Sequence, residues 1–226
     1  MNVKTQVMEH ILNLQQREPQ QLNTTKMRLV LLGSTDSGKE EFLQYITKFQ
    51  SFDTNTKQSK KFCVYETQRA TIELFQLPNS FSSGFKQLHP AAAVFLYKYS
   101  DRESIAYIDK HLPICKTLLK EQIKQLNTFQ NKEPETGYDV CSFVQTAEAE
   151  PVIIVLGIKD SPNDDIFEFK QRVMKNGGRI QDISQFDASA MNTLNVLSNS
   201  LQESFSRDYF VALERLQEED KGCAGI

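Results

Sequence analysis

Apolar residues along the chain follow two alternating patterns. Met27–Leu32 (MRLVLL), Ala91–Tyr97 and Val152–Leu156 are nearly unbroken apolar runs, as expected of strands buried on both faces. After each run, apolar residues return every three or four positions: Phe42, Ile46 and Phe49; Ile108, Leu112, Leu119 and Ile123; Ile166, Phe169 and Val173. That period predicts amphipathic helices. Pro113 lies inside the second and predicts a kink; Gly177-Gly178 closes the third. Two β-rich runs, Phe62–Glu66 and Thr71–Leu77, predict an antiparallel hairpin. The Ser/Pro/Gly-containing stretch after Leu77 reads as a loop. A weaker strand is expected over Arg179–Phe186. A final long helix carries Leu194, Leu197, Leu201 and Phe205 on one face and runs past Leu213. At the start, Val3, Val7, Ile11 and Leu14 predict a short amphipathic helix ending before Pro19.

Strands alternating with helices, plus one early hairpin, predict an α/β fold. Its sheet is six-stranded and mostly parallel with one antiparallel edge strand, and helices cover both faces. The expected organisation is an N-terminal helix and linker over 1–26, one domain over 27–217 and a flexible tail over 218–226. A Pro/Gly-containing surface insertion at 127–149 interrupts the domain. In such sheets ligands sit at the carboxyl ends of the strands, which directs attention to the loops after Leu32, Leu77 and Leu156.

Composition narrows the choice of partners. The 226 residues carry a net charge of -3 with no long basic block, so nucleic acid is not expected. Four cysteines without metal spacing read as free thiols in a reducing compartment. The three histidines are isolated and form neither a zinc site nor a triad. The first residues are too polar for a signal peptide, and no apolar run suits a bilayer crossing. The expected location is cytoplasmic.

Gly33-Ser34-Thr35-Asp36-Ser37-Gly38-Lys39 fills the first seven positions of the phosphate-loop pattern G-x-x-x-x-G-K. Glycines let such a turn expose backbone N–H groups, the following helix presents its positive end, and the lysine neutralises phosphate charge. The eighth position, where a Ser or Thr hydroxyl should ligate Mg²⁺, holds Glu40. A carboxylate there meets phosphate as a like charge, costing roughly 4 kcal/mol at ~4 Å and an effective dielectric near 20. The sequence is equally compatible with a loop kept for its fold alone and a loop that still binds nucleotide.

The order of these elements resembles the Ras/Rab-like small G-proteins. The resemblance rests on MRLVLLGSTDSGKEEF, the hairpin leading into TIELFQLPNSF, AAAVFLYKYSDRESI, PVIIVLGIKDSP and FDASAMNTLNV, and covers about residues 27 to 217. It implies a P-loop G-domain and GTP or GDP with Mg²⁺ as ligand. The implied cofactor-binding residues are Gly33, Ser34, Asp36, Ser37, Gly38, Lys39, Glu40, Lys159, Asp160, Ser189 and Ala190. Any Mg²⁺ ligands would come from Glu40 and Thr54, with Thr56 a second candidate. This chain departs from the family at most functional positions. Where the family has a metal-shell Asp, a γ-phosphate Gly and a water-orienting Gln, it has Gln76, Asn79 and Ser80. The Asn-Lys-x-Asp guanine reader becomes Ile158-Lys159-Asp160-Ser161, and Met191 replaces the usual Lys after Ser189-Ala190. With metal and positioning groups lost, hydrolysis has no evident source.

The expectation is a pseudo-GTPase that serves protein partners as a binding module or as a fixed subunit of an assembly, with weak nucleotide binding or none. The alternative is a slow Rab/Ras-type GTP-binding switch in membrane trafficking or ciliary transport. A nucleotide kinase fits poorly, since no arginine-rich lid is evident. Cys223-Ala224-Gly225-Ile226 has the form of a prenylation signal, but the acidic LQEEDK before it supports at most reversible membrane association. An ordinary terminus with a free thiol is the other reading of Cys223.

Overall fold

The computed structural model describes residues 25–49, 62–66, 70–130, 150–161, 166–186 and 188–223. The expected N-terminal helix, Thr54, Thr56 and most of the 127–149 insertion lie outside these residues. The described strands are β1 (Thr25–Leu32), β2 (Phe62–Glu66), β3 (Ala70–Gln76), β4 (Ala92–Lys98), β5 (Ile153–Ile158) and β6 (Arg179–Ile183). The helices are α1 (Lys39–Phe49), α2 (Ser82–Leu88), α3 (Arg102–Gln130), α4 (Ile166–Lys175), α5 (Ala188–Ser204) and α6 (Arg207–Cys223).

The strands form one six-stranded sheet in the order β2-β3-β1-β4-β5-β6. Neighbours run parallel except β2 and β3, which pair antiparallel from Phe62↔Phe75 to Glu66↔Thr71. The predicted α/β class and antiparallel edge strand are therefore present. Central strands read as continuous apolar runs because both faces are covered. Leu29 and Leu31 of β1 face α1, α5 and α6, while Val30 and Leu32 face α2, α3 and α4. Because β1 lies between β3 and β4, chain connections leave it in opposite directions, which opens a crevice at its carboxyl end.

Several elements differ from the sequence expectation. The stretch after Leu77 contains helix α2, whose flanking Phe81 and its own Phe85 are buried. Two apolar positions one turn apart among serines and a glycine are too few to show a helical period. The helix closes on His89, a left-handed residue with φ 44° whose N–H bonds Phe85 O at 3.1 Å. Helix α3 runs unbroken through Pro113 and extends to Gln130, into the expected insertion. The expected last helix is two helices, α5 and α6, parted at Phe205–Ser206. The break lets Phe205 stack on Tyr209 (ring centroids 4.2 Å apart) with both rings buried. Helix α6 reaches Cys223, well into the expected tail.

Candidate functional site

The phosphate-loop sequence forms the turn from β1 into α1. Gly33 and Gly38 adopt φ 154° and 90°, which L side chains rarely take. A Cβ on Gly33 would lie 2.3 Å from Ser37 Oγ and 2.8 Å from the Leu96 carbonyl oxygen, so β4 leaves no room for one. Phe42 N–H bonds Gly38 O at 3.0 Å, starting the first turn of α1. Helix and loop thus have the build that suits an anion.

The lysine does not face outward. Lys39 is only 4% exposed, and its ammonium donates to the carbonyl oxygens of Gly33 and Ser34 in its own loop. Ser37 Oγ donates to Ser34 O as well, at 2.9 Å. Burial holds the Lys39 pKa below its ordinary value, and the nearby Glu40 and Asp36 carboxylates only partly offset it. Those carboxylates are exposed. An incoming phosphate would meet two acidic side chains and a lysine already engaged.

On the other wall of the crevice, Asp101 immediately precedes α3. One carboxylate oxygen accepts Glu103 N–H at 2.9 Å, and the other lies 3.4 Å from Ser34 Oγ. Ser104 Oγ donates to Asp101 O at 2.7 Å and accepts Lys98 N–H at 3.2 Å, which fixes the turn to β4. The Asp-Arg-Glu-Ser segment is thus a capping turn.

The segment expected to read a base is committed elsewhere. Ile158 is buried, and its Cδ1 lies 2.9 Å from where a Gly38 Cβ would stand; Phe186 follows at 3.4 Å. Lys159 Nζ points to Asp182 Oδ2 at 3.8 Å. The Asp160 carboxylate accepts both Ser100 N–H, at 2.9 Å, and Ser100 Oγ–H. Burial alone would raise the Asp160 pKa, but these hydrogen bonds and the Lys98 charge outweigh it and lower the pKa. Ser161 is half-buried, Ala190 is fully buried, and Ser189 lies in the first turn of α5. Gln76 ends β3 with its Oε1 buried and no hydrogen-bond partner among the described residues. Asn79 and Ser80 are exposed beyond it.

The carboxyl ends of β4 to β6 hold a cluster that sequence reasoning missed. Tyr97 and Tyr99 stack with ring centroids 5.7 Å apart, beside Asp182, which also pairs with Lys170. Burial, then the neighbouring Tyr99 and Asp182, push the Tyr97 pKa far up. Neither the Tyr97 hydroxyl nor Asp182 Oδ1 makes a well-formed hydrogen bond among the described residues. Gly157 leaves them space, since a Cβ there would lie 2.5 Å from the hydroxyl and 2.9 Å from Oδ1. Alternating tyrosines at 97 and 99 were a signal for one shared face; the distant Lys170 and Asp182 gave none.

The chain is similar to a known structure at the level of fold. Translation elongation factor SelB from Methanococcus maripaludis, in its apo form, aligns with TM-score 0.49 and 13% identity over 80% of this chain. The match spans 34% of that protein's chain. Likeness at this level carries no argument about chemistry. In all, 905 solved chains match. No family model matches the chain. No curated protein matches it.

The site's own residues therefore decide what it can do. The turn keeps an anion-binding backbone, but the residues present do not fit a magnesium-bound guanine nucleotide. Glu40 stands where the metal needs a hydroxyl, Lys39 is bound to its own loop, and Lys159 and Asp160 are held by Asp182 and Ser100. Among the described residues no group of three His, Cys, Asp or Glu side chains could hold a metal ion.

Proposed function

We propose that this chain is a degenerate G-domain that binds nucleotide weakly or not at all, does not hydrolyse GTP, and serves as a protein-binding module or fixed subunit of an assembly. The observation that carries this reading is the closed phosphate loop: Lys39 is satisfied by Gly33 O and Ser34 O, behind Asp36 and Glu40. Phosphoryl transfer depends on metal, positioned water and charge stabilisation, and the residues that would supply them are replaced. A role in binding proteins follows from a retained fold without the chemistry. The half-exposed face of the β2–β3 hairpin supports it, because Phe62 and Phe75 pair there across the strands with ring centroids 4.6 Å apart.

The test is the nucleotide content of the purified full chain, read by denaturation and anion-exchange chromatography, followed by GTP and ATP titration with and without Mg²⁺. The expected result is an empty protein with no Mg²⁺-dependent affinity. Stoichiometric GDP or GTP would overturn the reading in favour of a slow switch. That reading draws on the retained geometry of Gly33 and Gly38, and it requires Lys39 and Asp160 to leave their present partners.

A further inference from the structure

A groove opens at the opposite end of the sheet from the phosphate loop. It lies between α2, α3 and α6 and encloses about 360 Å³, with Phe85, Leu118 and Leu216 as its apolar lining and Lys86, Glu121, Gln122 and Gln125 among its polar residues. Its walls are tied to the first residues of β4 and β1. Gln122 Nε2 donates to Pro90 O, and Gln217 Nε2 to His89 O, both at 2.9 Å. Ala91 N–H then bonds Arg28 O at 2.7 Å. Arg28 is three residues after Thr25, so the chain enters the described fold about 10 Å of strand from the groove's lip.

We propose that the N-terminal segment, through Val3, Val7, Ile11 and Leu14, seats its apolar face in this groove. These residues form one stripe at helical spacing, and a helix of 14 residues is too short to persist alone in water. It needs a surface, and Leu118 and Leu216 offer half-buried apolar carbon. The tether is long enough, since the ten residues between Leu14 and Thr25 span up to about 35 Å. Of the other segments outside the described residues, the longest, 131–149, is less well placed. Glu150, at its far end, pairs with Lys116 at 3.2 Å and Lys120 at 3.0 Å. Those lysines occupy one face of α3, whereas Leu118, Gln122 and Gln125 form a stripe on the opposite face.

The chain contains no tryptophan, so Gln125→Trp gives a single reporter in the groove of the full chain. Its emission is expected to be blue-shifted and poorly quenched by acrylamide. Adding Val7→Asp and Ile11→Asp should shift it to that of a solvated indole, with the circular dichroism of the folded domain unchanged. A synthetic peptide of residues 1–14, added to the chain lacking them, should restore the blue shift saturably. Emission that ignores the aspartates would overturn the proposal, as would emission that responds only to removal of 131–149. A blue shift lost on dilution would also overturn it, because the segment would then be docked on a second copy.

Discussion

Lys39 occupies the position at which a phosphate-loop lysine meets its ligand, yet its donors are spent on Gly33 O and Ser34 O. Hydrogen bonds to a charged donor contribute about 1.5–3 kcal/mol, and leaving a buried acceptor unsatisfied costs about 1–3 kcal/mol. Against this stands the desolvation that depresses the Lys39 pKa. Ser34 O keeps a second donor in Ser37, so the carbonyl most exposed to loss is that of Gly33. Lys39→Ala is therefore expected to lower the stability of the nucleotide-free protein by about 1–2 kcal/mol, measured by urea unfolding. A lysine kept only for a ligand would leave that stability unchanged or raise it, since its removal relieves a buried charge. The same residue shows how far the site was legible. G-x-x-x-x-G-K gave the turn, because glycine spacing is a local property. It could not give the direction of the ammonium, which depends on the Asp36 and Glu40 charges and on β4 closing over Gly33.

At the scale of elements, Pro113 sits within the 29 residues of α3 rather than ending it. Proline inside a helix costs about 3 kcal/mol through the lost N–H and the clash with the preceding turn. Replacing it also frees the unfolded chain, which returns up to about 1 kcal/mol. Pro113 is exposed, so no core contact is lost with it. Pro113→Ala should thus stabilise the protein by about 2 kcal/mol, seen as a higher urea midpoint with unchanged slope. The helix tolerates the proline because Ile108, Leu112, Cys115 and Leu119 bury its inner face against the sheet. Tertiary packing overrides local propensity here. The same rule explains which elements were legible. Strands β1, β4 and β5, covered on both faces, announced themselves as apolar runs. Helix α2 did not, because its fit depends on where Phe81 and Phe85 land against Leu77 and β4. Nor did the break at Phe205–Ser206, which follows from ring packing that no periodicity encodes.

The whole molecule divides its work between two ends of one sheet. The carboxyl end holds the phosphate turn, the Asp160–Ser100 clamp and the Tyr97–Tyr99–Asp182 cluster, all closed by contacts within the chain. The amino end holds an open groove beside the point where β1 begins. A protein stabilised by bound nucleotide would show it in the global unfolding equilibrium. With a Kd of about 1 µM, 1 mM GTP would add ~4.1 kcal/mol to the folded state. For a chain of 226 residues that corresponds to a rise in Tm of roughly 8–16 °C. The closed loop predicts a much smaller response, because a phosphate must first displace Lys39 from two carbonyls and approach Asp36 and Glu40. The expected shift with 1 mM Mg²⁺-GTP is under about 1 °C, the stabilisation given by a Kd of several millimolar or weaker. Differential scanning fluorimetry with GTP, GDP and ATP, each with and without Mg²⁺, measures it directly. A rise of several degrees specific to guanine nucleotides would mean that Asp160 leaves Ser100 to read the base. It would also mean that the contacts now closing the carboxyl end are those of a resting state.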